Sequence, residues 1–269
     1  MKLLHHARIV SPAGSPLRWA YFLHGLLGAG RNWRSIARRL VENRPEWGAL
    51  LVDLRMHGSS VGFPGPHTLA ACARDVRRLA AHLGTGPAAL LGHSFGGKVA
   101  LRYVDDGVVD LEQAWIIDST PSVCPPRGGA VEMLKAVRAL PSRFPSRLEA
   151  VSLLQAFGFP SSMANWMSTN LVRIEGEMTW RFDVAAMEQL LADFLRADLW
   201  KVVESAVDRP EFHFVRATAS DVLSEDDVQR ILRLEDRGRS VRVYSVNGGH
   251  WLNADNPSAV VGLLVRHLP

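Results

Sequence analysis

The sequence predicts an α/β protein with a mostly parallel central sheet flanked by helices, and with a helical segment inserted between two of the strands. Short continuous apolar runs recur along the chain, helical patterns alternate with them, and one long stretch breaks the alternation. Continuous apolar runs are typical of strands buried on both faces of a parallel sheet. The alternation of strands and helices indicates a layered α/β architecture.

Seven apolar, β-rich runs are the predicted strands. We expect them at 3–10, 17–23, 49–54, 88–91, 114–117, 212–215 and 241–246. The helices of the core are expected at 33–42, 69–83, 98–105, 225–234 and 257–267. Pro257 suits the first turn of the last helix. A chain of 269 residues fits one such domain with an insertion.

The insertion is the stretch 122–206, which divides a core predicted at 1–121 and 207–269. It contains no convincing strand, and proline residues separate its helical patterns at 131–140, 148–157 and 184–200. We interpret it as a helical lid. Because a lid must present apolar side chains to the site that it covers, Trp166 is a candidate for substrate contact, with packing inside the lid as its alternative role.

Composition excludes several classes of function. Hydrophobic residues make up 47% of the chain and charged residues 22%, which argues against disorder. The net charge is +4, but the arginines form no basic block, so nucleic acid is not an expected partner. Two separated cysteines indicate neither a disulfide scaffold nor a cysteine zinc site, and a reducing cytoplasm is the simplest location. Neither a signal peptide nor a membrane span is expected.

The most informative stretch is 88–100, where an apolar run leads into a glycine-flanked serine and then into a helical pattern. A Gly-x-Ser-x-Gly turn between a strand and a helix exposes the serine hydroxyl and holds it in one position. Gly92 and Gly96 suit a turn in which backbone segments come too close for a Cβ atom. Ser94 is therefore the candidate nucleophile, and a glycine-rich loop with an incidental serine is the alternative.

A serine nucleophile needs a base and a carboxylate that orients the base. His250 follows the last predicted strand on a loop that contains glycine, where it could reach Ser94. We expect Asp221 to be the acid, because it follows the strand at 212–215 and gives the chain order serine, acid, histidine. Asp118, at the end of the strand at 114–117, is the rival. The alternative role is a helix cap for Asp221 and a turn for Asp118.

The last requirement is a pair of backbone N–H groups for the tetrahedral oxyanion. We expect them from Phe95, directly after the nucleophile, and from Leu26, in the loop after the strand at 17–23. His24, His93 and Trp251 join Trp166 as candidates for substrate contact. Ordering of loops is the better explanation for the two histidines.

Four ordered motifs resemble the α/β-hydrolase superfamily: HGLLG at 24–28, DLRMHGSS at 53–60, GHSFGGK at 92–98 and GHW at 249–251. Within it, the chain is similar to the esterase-like group that includes the bacterial YbfF type and the abhydrolase-domain 11 type. The resemblance implies an α/β-hydrolase fold with a catalytic triad. A serine in the elbow counts against dehalogenases and epoxide hydrolases, which resemble one another in using aspartate there. The substrate is not implied, because this scaffold hosts many reactions.

These residues predict a serine hydrolase that cleaves a small-molecule carboxylic ester or thioester through an acyl-enzyme on Ser94. His250 would act as the general base and Asp221 would orient it, without a metal or an organic cofactor. Two alternatives remain open. One is hydrolysis of a C–C bond in a diketone-like substrate by the same triad, and the other is a ligand-binding receptor with little turnover.

Overall fold

The computed structural model describes residues 2–12, 14–107, 110–205, 207 and 210–269. Its strands are, in chain order, β1 (His6–Ile9), β2 (Arg18–Leu23), β3 (Trp47–Val52), β4 (Ala89–His93), β5 (Gln113–Ile117), β6 (Arg143–Phe144), β7 (Leu171–Ile174), β8 (Glu177–Trp180), β9 (Glu211–Ala217) and β10 (Val241–Val246). Its helices are α1 (Arg34–Asn43), α2 (Leu69–Leu83), α3 (Phe95–Asp105), α4 (Gly129–Ala139), α5 (Arg147–Ala156), α6 (Ser161–Ser168), α7 (Val184–Arg196), α8 (Trp200–Glu204), α9 (Glu225–Asp236), α10 (Leu252–Asp255) and α11 (Pro257–His267). A short 3-10 helix spans Gly30–Trp33.

Seven of these strands form the central sheet, in the order β1-β3-β2-β4-β5-β9-β10. β1 runs antiparallel to β3, and every other neighbouring pair is parallel. β3, β4 and β5 are buried along their whole length, which explains why their sequences are continuous apolar runs. The prediction of a mostly parallel α/β sheet is confirmed. Because the strands are parallel, the loops after β2, β4, β5, β9 and β10 meet at one edge.

The two faces of the sheet pack against separate apolar layers. In β2, Tyr21 and Leu23 belong to the layer that includes side chains of α2 and α3. Ala20 and Phe22 belong to the layer that includes side chains of α1 and α11. Side chains that alternate along a strand produce this division. Helices therefore hold the sheet from both sides and fix the positions from which its loops begin.

The elements predicted for the core begin and end within three residues of their predicted positions, and α2, α11 and β10 match them at both ends, whereas α10 was not expected. α2 shows which signals made this possible. The Thr68 side chain caps its first turn by accepting the Ala71 N–H, and Gly84 ends it with a φ of +66°. A capping hydroxyl and a left-handed glycine are local features of the sequence, so they mark helix ends without knowledge of the fold.

The segment between β5 and β9 is mostly helical, but the expectation that it lacks strands is wrong. β6, β7 and β8 form a small antiparallel sheet in the order β6-β8-β7. The turn between β7 and β8 consists of Glu175 and Gly176, at φ +50° and +89°, as in tight hairpin turns with two left-handed residues. Strands this short carry too few alternating positions to stand out in a sequence.

The helices of the inserted segment also differ in part from the prediction. α6 was not expected, and the expected helix at 184–200 is divided between α7 and α8. The Asp198 carboxylate accepts the Trp200 N–H at 3.0 Å, which starts α8 as a separate helix. The predicted end of the insertion, residue 206, lies outside the described residues. None of the described helices is long and apolar enough to cross a membrane.

A buried ion pair ties the loop after β3 to α2. Arg55 Nε donates to Asp75 Oδ2 at 2.6 Å, and the two side chains are only 6% and 2% exposed. The guanidinium group also donates to the carbonyl oxygens of Pro64 and Pro66. Removing one member of such a pair leaves a buried charge without its partner, which costs far more than breaking an exposed pair.

We therefore expect Asp75→Ala to lower the free energy of unfolding by about 3–5 kcal/mol. Glu132→Ala is the matched control, because it breaks the Glu132–Lys135 pair, whose side chains are 56% and 65% exposed, and its effect should be much smaller. Urea denaturation followed by circular dichroism measures both. Equal losses in the two variants would contradict the prediction.

Candidate active site

Ser94 stands in a sharp turn between β4 and α3, with φ +52° and ψ −116°. This backbone conformation is rare for a residue with a side chain, so the surrounding structure must support it. A Cβ atom on Gly92 would collide with the Gly96 carbonyl group, and one on Gly96 would lie 2.7 Å from the Leu23 carbonyl oxygen. Both glycines are therefore needed for the close approach of backbone segments. Ser94 itself is only half-buried.

His250 lies on the loop after β10 and faces the serine. Its Nε2 atom is 3.1 Å from Ser94 Oγ, and its Nδ1 atom is 2.6 Å from Asp118 Oδ2. When the Nδ1–H group donates to this carboxylate, Nε2 is free to accept the proton of the serine hydroxyl. The histidine side chain is 35% exposed, whereas the aspartate side chain is fully buried. The three side chains thus form one chain of hydrogen bonds.

Asp118 is the first residue after β5, the sheet neighbour of β4, and Ile117 pairs with His93 in the register of these strands. Its buried carboxylate has other donors besides His250. Oδ1 accepts the Ala217 N–H at 3.0 Å, and Oδ2 accepts the Ser220 hydroxyl at 2.7 Å. Hydrogen bonds to an ionised carboxylate offset the cost of burying its charge.

The structure corrects the expectation that Asp221 orients the base. Asp221 is exposed, and the carboxylate beside His250 is that of Asp118. The loop after β9 does reach the histidine site, but it contributes the Ser220 hydroxyl to Asp118. One signal could have favoured Asp118: it directly follows a buried strand, as Ser94 does, whereas Asp221 comes four residues after the end of β9.

His24 and His93, both expected as candidates for substrate contact, are buried and bonded to the backbone. His93 Nε2 donates to the His250 carbonyl oxygen at 2.7 Å. His24 Nδ1 donates to the Gly25 carbonyl oxygen at 2.8 Å, and its Nε2 accepts the Leu54 N–H at 3.0 Å. Burial lowers the pKa of both imidazoles, so both rings are neutral at pH 7. These bonds favour the ordering of loops as their role, and contact of either ring with a substrate stays a prediction.

The two residues expected to supply the amides of an oxyanion hole lie in segments next to Ser94, and their role in binding an oxyanion stays a prediction. The Phe95 N–H is the first of α3, where the helix offers it no acceptor. Leu26 lies in the turn at 25–28, in which Leu27 adopts φ +61°. This turn approaches the nucleophile closely, because a Cβ atom on Gly25 would lie 3.5 Å from the Ser94 Cβ. The turn and the helix N-terminus thus lie against the same serine.

Trp166 and Trp251, the remaining candidates for substrate contact, meet each other. Their ring centroids are 5.1 Å apart, and both side chains are half-buried. Trp166 belongs to α6 of the inserted segment, whereas Trp251 directly follows His250. The inserted segment therefore touches the loop that carries the histidine. Contact of either ring with a substrate stays a prediction.

Lys98 has a role that the sequence analysis missed. It is fully buried in α3, where its Nζ donates to the carbonyl oxygens of Ser122, Phe194 and Ala197 at 2.6, 2.8 and 2.9 Å. Burial lowers the pKa of its ammonium group, while the three acceptors match its three N–H donors. Lys98 thus binds the helix that begins after Ser94 to the inserted segment. Sequence offers little signal for this, because lysines in helices mostly face solvent.

A surface cavity of about 450 Å³ lies away from this site, where β9 and β10 begin. Arg242 in its wall pairs with Glu211 and Glu235, and Glu211 also bonds to His213. Its charged groups are thus largely paired with one another. None of the residues around Ser94 lines it.

The sheet, the serine turn and the histidine after the last strand are those of an α/β hydrolase. The sequence model of the alpha/beta hydrolase family matches residues 20–263, and the chain belongs to this family. It is similar to the sn-1-specific diacylglycerol lipase ABHD11 of Danio rerio, with 28% identity over 252 residues that cover 92% of this chain and 77% of that protein. It is also similar to a putative esterase/lipase of Haemophilus influenzae, with 26% identity over 250 residues that cover 92% of this chain and 82% of that protein.

Solved structures share the fold. A marine microorganism esterase matches with a TM-score of 0.84 and 20% identity, over 99% of both chains. The structure of E-2-(acetamidomethylene)succinate hydrolase matches with a TM-score of 0.77 and 22% identity, over 98% of this chain and 94% of that one. The predicted α/β-hydrolase fold is confirmed. The match to this family supports the prediction that the chain is an enzyme, a serine hydrolase.

The two candidate acids can be separated by substitution. Asp118→Asn should lower kcat by about 10³-fold or more, because a neutral amide neither selects the Nδ1–H tautomer nor stabilises an imidazolium. Asp221→Asn should leave kcat close to the wild-type value. Hydrolysis of p-nitrophenyl acetate by the two variants, with thermal unfolding as a control for folding, tests this expectation. An equal loss in Asp221→Asn would contradict it.

Buried neutral histidines should make the fold sensitive to acid. Burial lowers the pKa of His57 to about 3 and that of His93 well below its usual value. In the unfolded chain both histidines have a pKa of about 6.5. Below about pH 6.5 the unfolded chain therefore binds more protons than the folded one, so the free energy of unfolding falls as the pH falls.

The expected slope between about pH 6 and 4.5 is about 1.4 kcal/mol per pH unit for each of these histidines. Urea unfolding at a series of pH values measures the slope. The His57→Gln substitution should reduce the slope by about 1.4 kcal/mol per pH unit, the contribution of one histidine. A slope that this variant leaves unchanged would show that His57 is protonated equally in both states.

Proposed function

We propose that the protein hydrolyses a carboxylic ester or thioester through an acyl-enzyme on Ser94. The observation that carries this proposal is the chain of hydrogen bonds from Ser94 Oγ to His250 at 3.1 Å and from His250 to Asp118 at 2.6 Å. A serine that contacts a histidine backed by a buried carboxylate is the arrangement that makes a hydroxyl group nucleophilic. In this proposal, Asp118 has the role that the sequence analysis gave to Asp221.

The reaction needs only these groups and water. His250 Nε2 accepts the Ser94 proton while Oγ attacks the acyl carbon, and Asp118 stabilises the resulting imidazolium. The imidazolium then protonates the departing alcohol or thiol, which leaves the acyl group on Oγ. Water, deprotonated by the same Nε2, then attacks the acyl carbon, and the imidazolium returns its proton to Ser94 Oγ as the bond from the acyl carbon to Oγ breaks and the carboxylic acid leaves. The N–H groups of Leu26 and Phe95 donate to the oxyanion in both steps.

An apolar acyl group is the substrate that the surroundings favour. Phe159, Met163 and Trp166 of the inserted segment are partly exposed and pack against the same apolar cluster as Leu26. In this proposal the inserted segment is a lid whose apolar side chains, with Trp251, contact the acyl chain. The relatives named as a diacylglycerol lipase and an esterase/lipase support an ester substrate over a diketone.

Three other expectations stay predictions: a small-molecule substrate handled without a metal or organic cofactor, the lack of a nucleic-acid partner and a cytoplasmic location. They follow from the residues around Ser94, the dispersed arginines and the cysteine content, respectively. A substrate screen with and without a chelator, a binding assay with nucleic acid and cell fractionation address them in turn.

The proposal is tested with p-nitrophenyl esters of increasing acyl length and with a fluorophosphonate probe. Ser94→Ala should lower kcat by at least about 10³-fold and abolish labelling by the probe. Ser162→Ala, an exposed serine in α6, is the matched control and should behave like the wild type.

Other outcomes point to the alternatives. Turnover that Ser94→Ala leaves unchanged would remove the serine from the mechanism. A diketone consumed faster than every ester would favour C–C bond hydrolysis. A wild-type protein that neither turns over esters nor reacts with the probe would favour a receptor.

A further inference from the structure

A short part of the inserted segment contacts two loops of the core that lie around Ser94. This part is the stretch 166–170, at the junction of α6 and β7, and we call it the brace. The Trp166 ring packs, tilted by 41°, against the ring of Trp251 on the loop that carries His250, at a centroid distance of 5.1 Å. Asn170 bonds to the turn at 25–28 that holds Leu26. The brace therefore joins the histidine loop to the turn of the proposed oxyanion hole.

The contact of Asn170 is the more specific of the two. Its side chain is buried, and its Nδ2 donates to the Leu27 carbonyl oxygen at 2.9 Å. Because a carbonyl oxygen only accepts, this bond also settles which way the amide points. Leu27 needs such support, because its φ of +61° is unfavourable for a residue with a bulky side chain.

The backbone of Asn170 is itself held in place. Its N–H donates to the Met167 carbonyl oxygen at 3.0 Å, and its carbonyl oxygen accepts the Arg181 N–H at 2.9 Å, just after β8. The guanidinium of Arg31, which follows the turn, also donates to the Thr169 carbonyl oxygen at 3.1 Å. The small sheet of the insertion thus supports the brace from one side, and the brace contacts the core on the other.

We infer that Asn170 is a positioning residue for the oxyanion hole: its bond to Leu27 holds the turn so that the Leu26 N–H points at the developing oxyanion. The inference rests on the proposed function. Donors in such a hole act only within a few tenths of an ångström of their productive position, and loss of one donor costs about 10²–10³ in kcat. A turn that is loosened but still present should cost less than that.

The test compares Asn170→Ala and Asn170→Asp with the wild type on p-nitrophenyl acetate. Aspartate keeps the shape of the side chain, but an ionised carboxylate has no N–H to donate. Both variants should lose about tenfold or more in kcat with little change in KM, because the bond stabilises the transition state more than the bound substrate. Their reaction with a fluorophosphonate should slow in parallel, since its phosphoryl oxygen occupies the same hole.

Asn165→Ala is the matched control. Asn165 is the same residue type near the same end of α6, but it is exposed and its side-chain amide donates to Ser161 within its own helix. This variant should keep the wild-type kcat and KM. Thermal unfolding of all four proteins shows whether a loss of activity accompanies a loss of folding.

Several results would overturn the inference. One is an Asn170 variant with the kcat of Asn165→Ala, and another is a loss confined to KM. Failure of both Asn170 variants to fold, while Asn165→Ala folds, would make Asn170 a residue of folding and not of positioning. These results differ from failure of the proposed function, in which the wild-type protein itself neither hydrolyses esters nor reacts with the probe.

Discussion

The buried carboxylate of Asp118 is the interaction on which the site depends. It accepts hydrogen bonds from His250, from the Ala217 backbone and from the Ser220 hydroxyl, so it joins the loops after β5, β9 and β10. A buried charge without such donors would cost several kcal/mol. The same hydrogen bonds that offset this cost also orient the histidine toward Ser94. Stability of the loops and geometry of the site therefore have one physical origin.

The order of the strands makes this meeting possible. β4, β5, β9 and β10 are consecutive in the sheet, and all four are parallel. Their carboxyl ends present Ser94, Asp118, Ser220 and His250 along one edge, although 156 residues separate the serine from the histidine. Helices on both faces keep the strands in register. A rigid sheet can thus hold side chains on loops within hydrogen-bonding distance of each other.

The inserted segment is bound to this edge by polar bonds as well as by apolar packing. Lys98, in α3 of the core, donates three hydrogen bonds to backbone carbonyl oxygens of the inserted segment. Asn170, in the inserted segment, donates one hydrogen bond to the turn at 25–28. Buried polar groups must keep their partners, so such bonds permit one arrangement and penalise others. The segment is therefore coupled to the helix after the nucleophile and to the turn beside it. A segment held by apolar contact alone would have no such fixed relation to Ser94.

Local patterns were sufficient for most of the core and for two of the three side chains in the hydrogen-bonded chain of Ser94, His250 and Asp118. Continuous apolar runs located β2 to β5, a capping threonine and a left-handed glycine located α2, and the glycine pattern located Ser94. His250 was recognisable because it follows the last strand on a loop with glycine. The short strands β6, β7 and β8 were missed, because two to four residues carry no readable period and pair only with distant partners.

By itself the sequence determined the α/β architecture, the serine turn and the histidine loop, since each depends on residues that are neighbours in the chain. Only the tertiary structure decided that Asp118 and not Asp221 contacts His250, because that choice depends on which strands are adjacent in the sheet. The same holds for Lys98 and Asn170, whose partners lie 24 or more residues away in the chain. A local pattern reports the propensity of a segment, whereas the partner of a buried polar group is set by the folding of the whole chain.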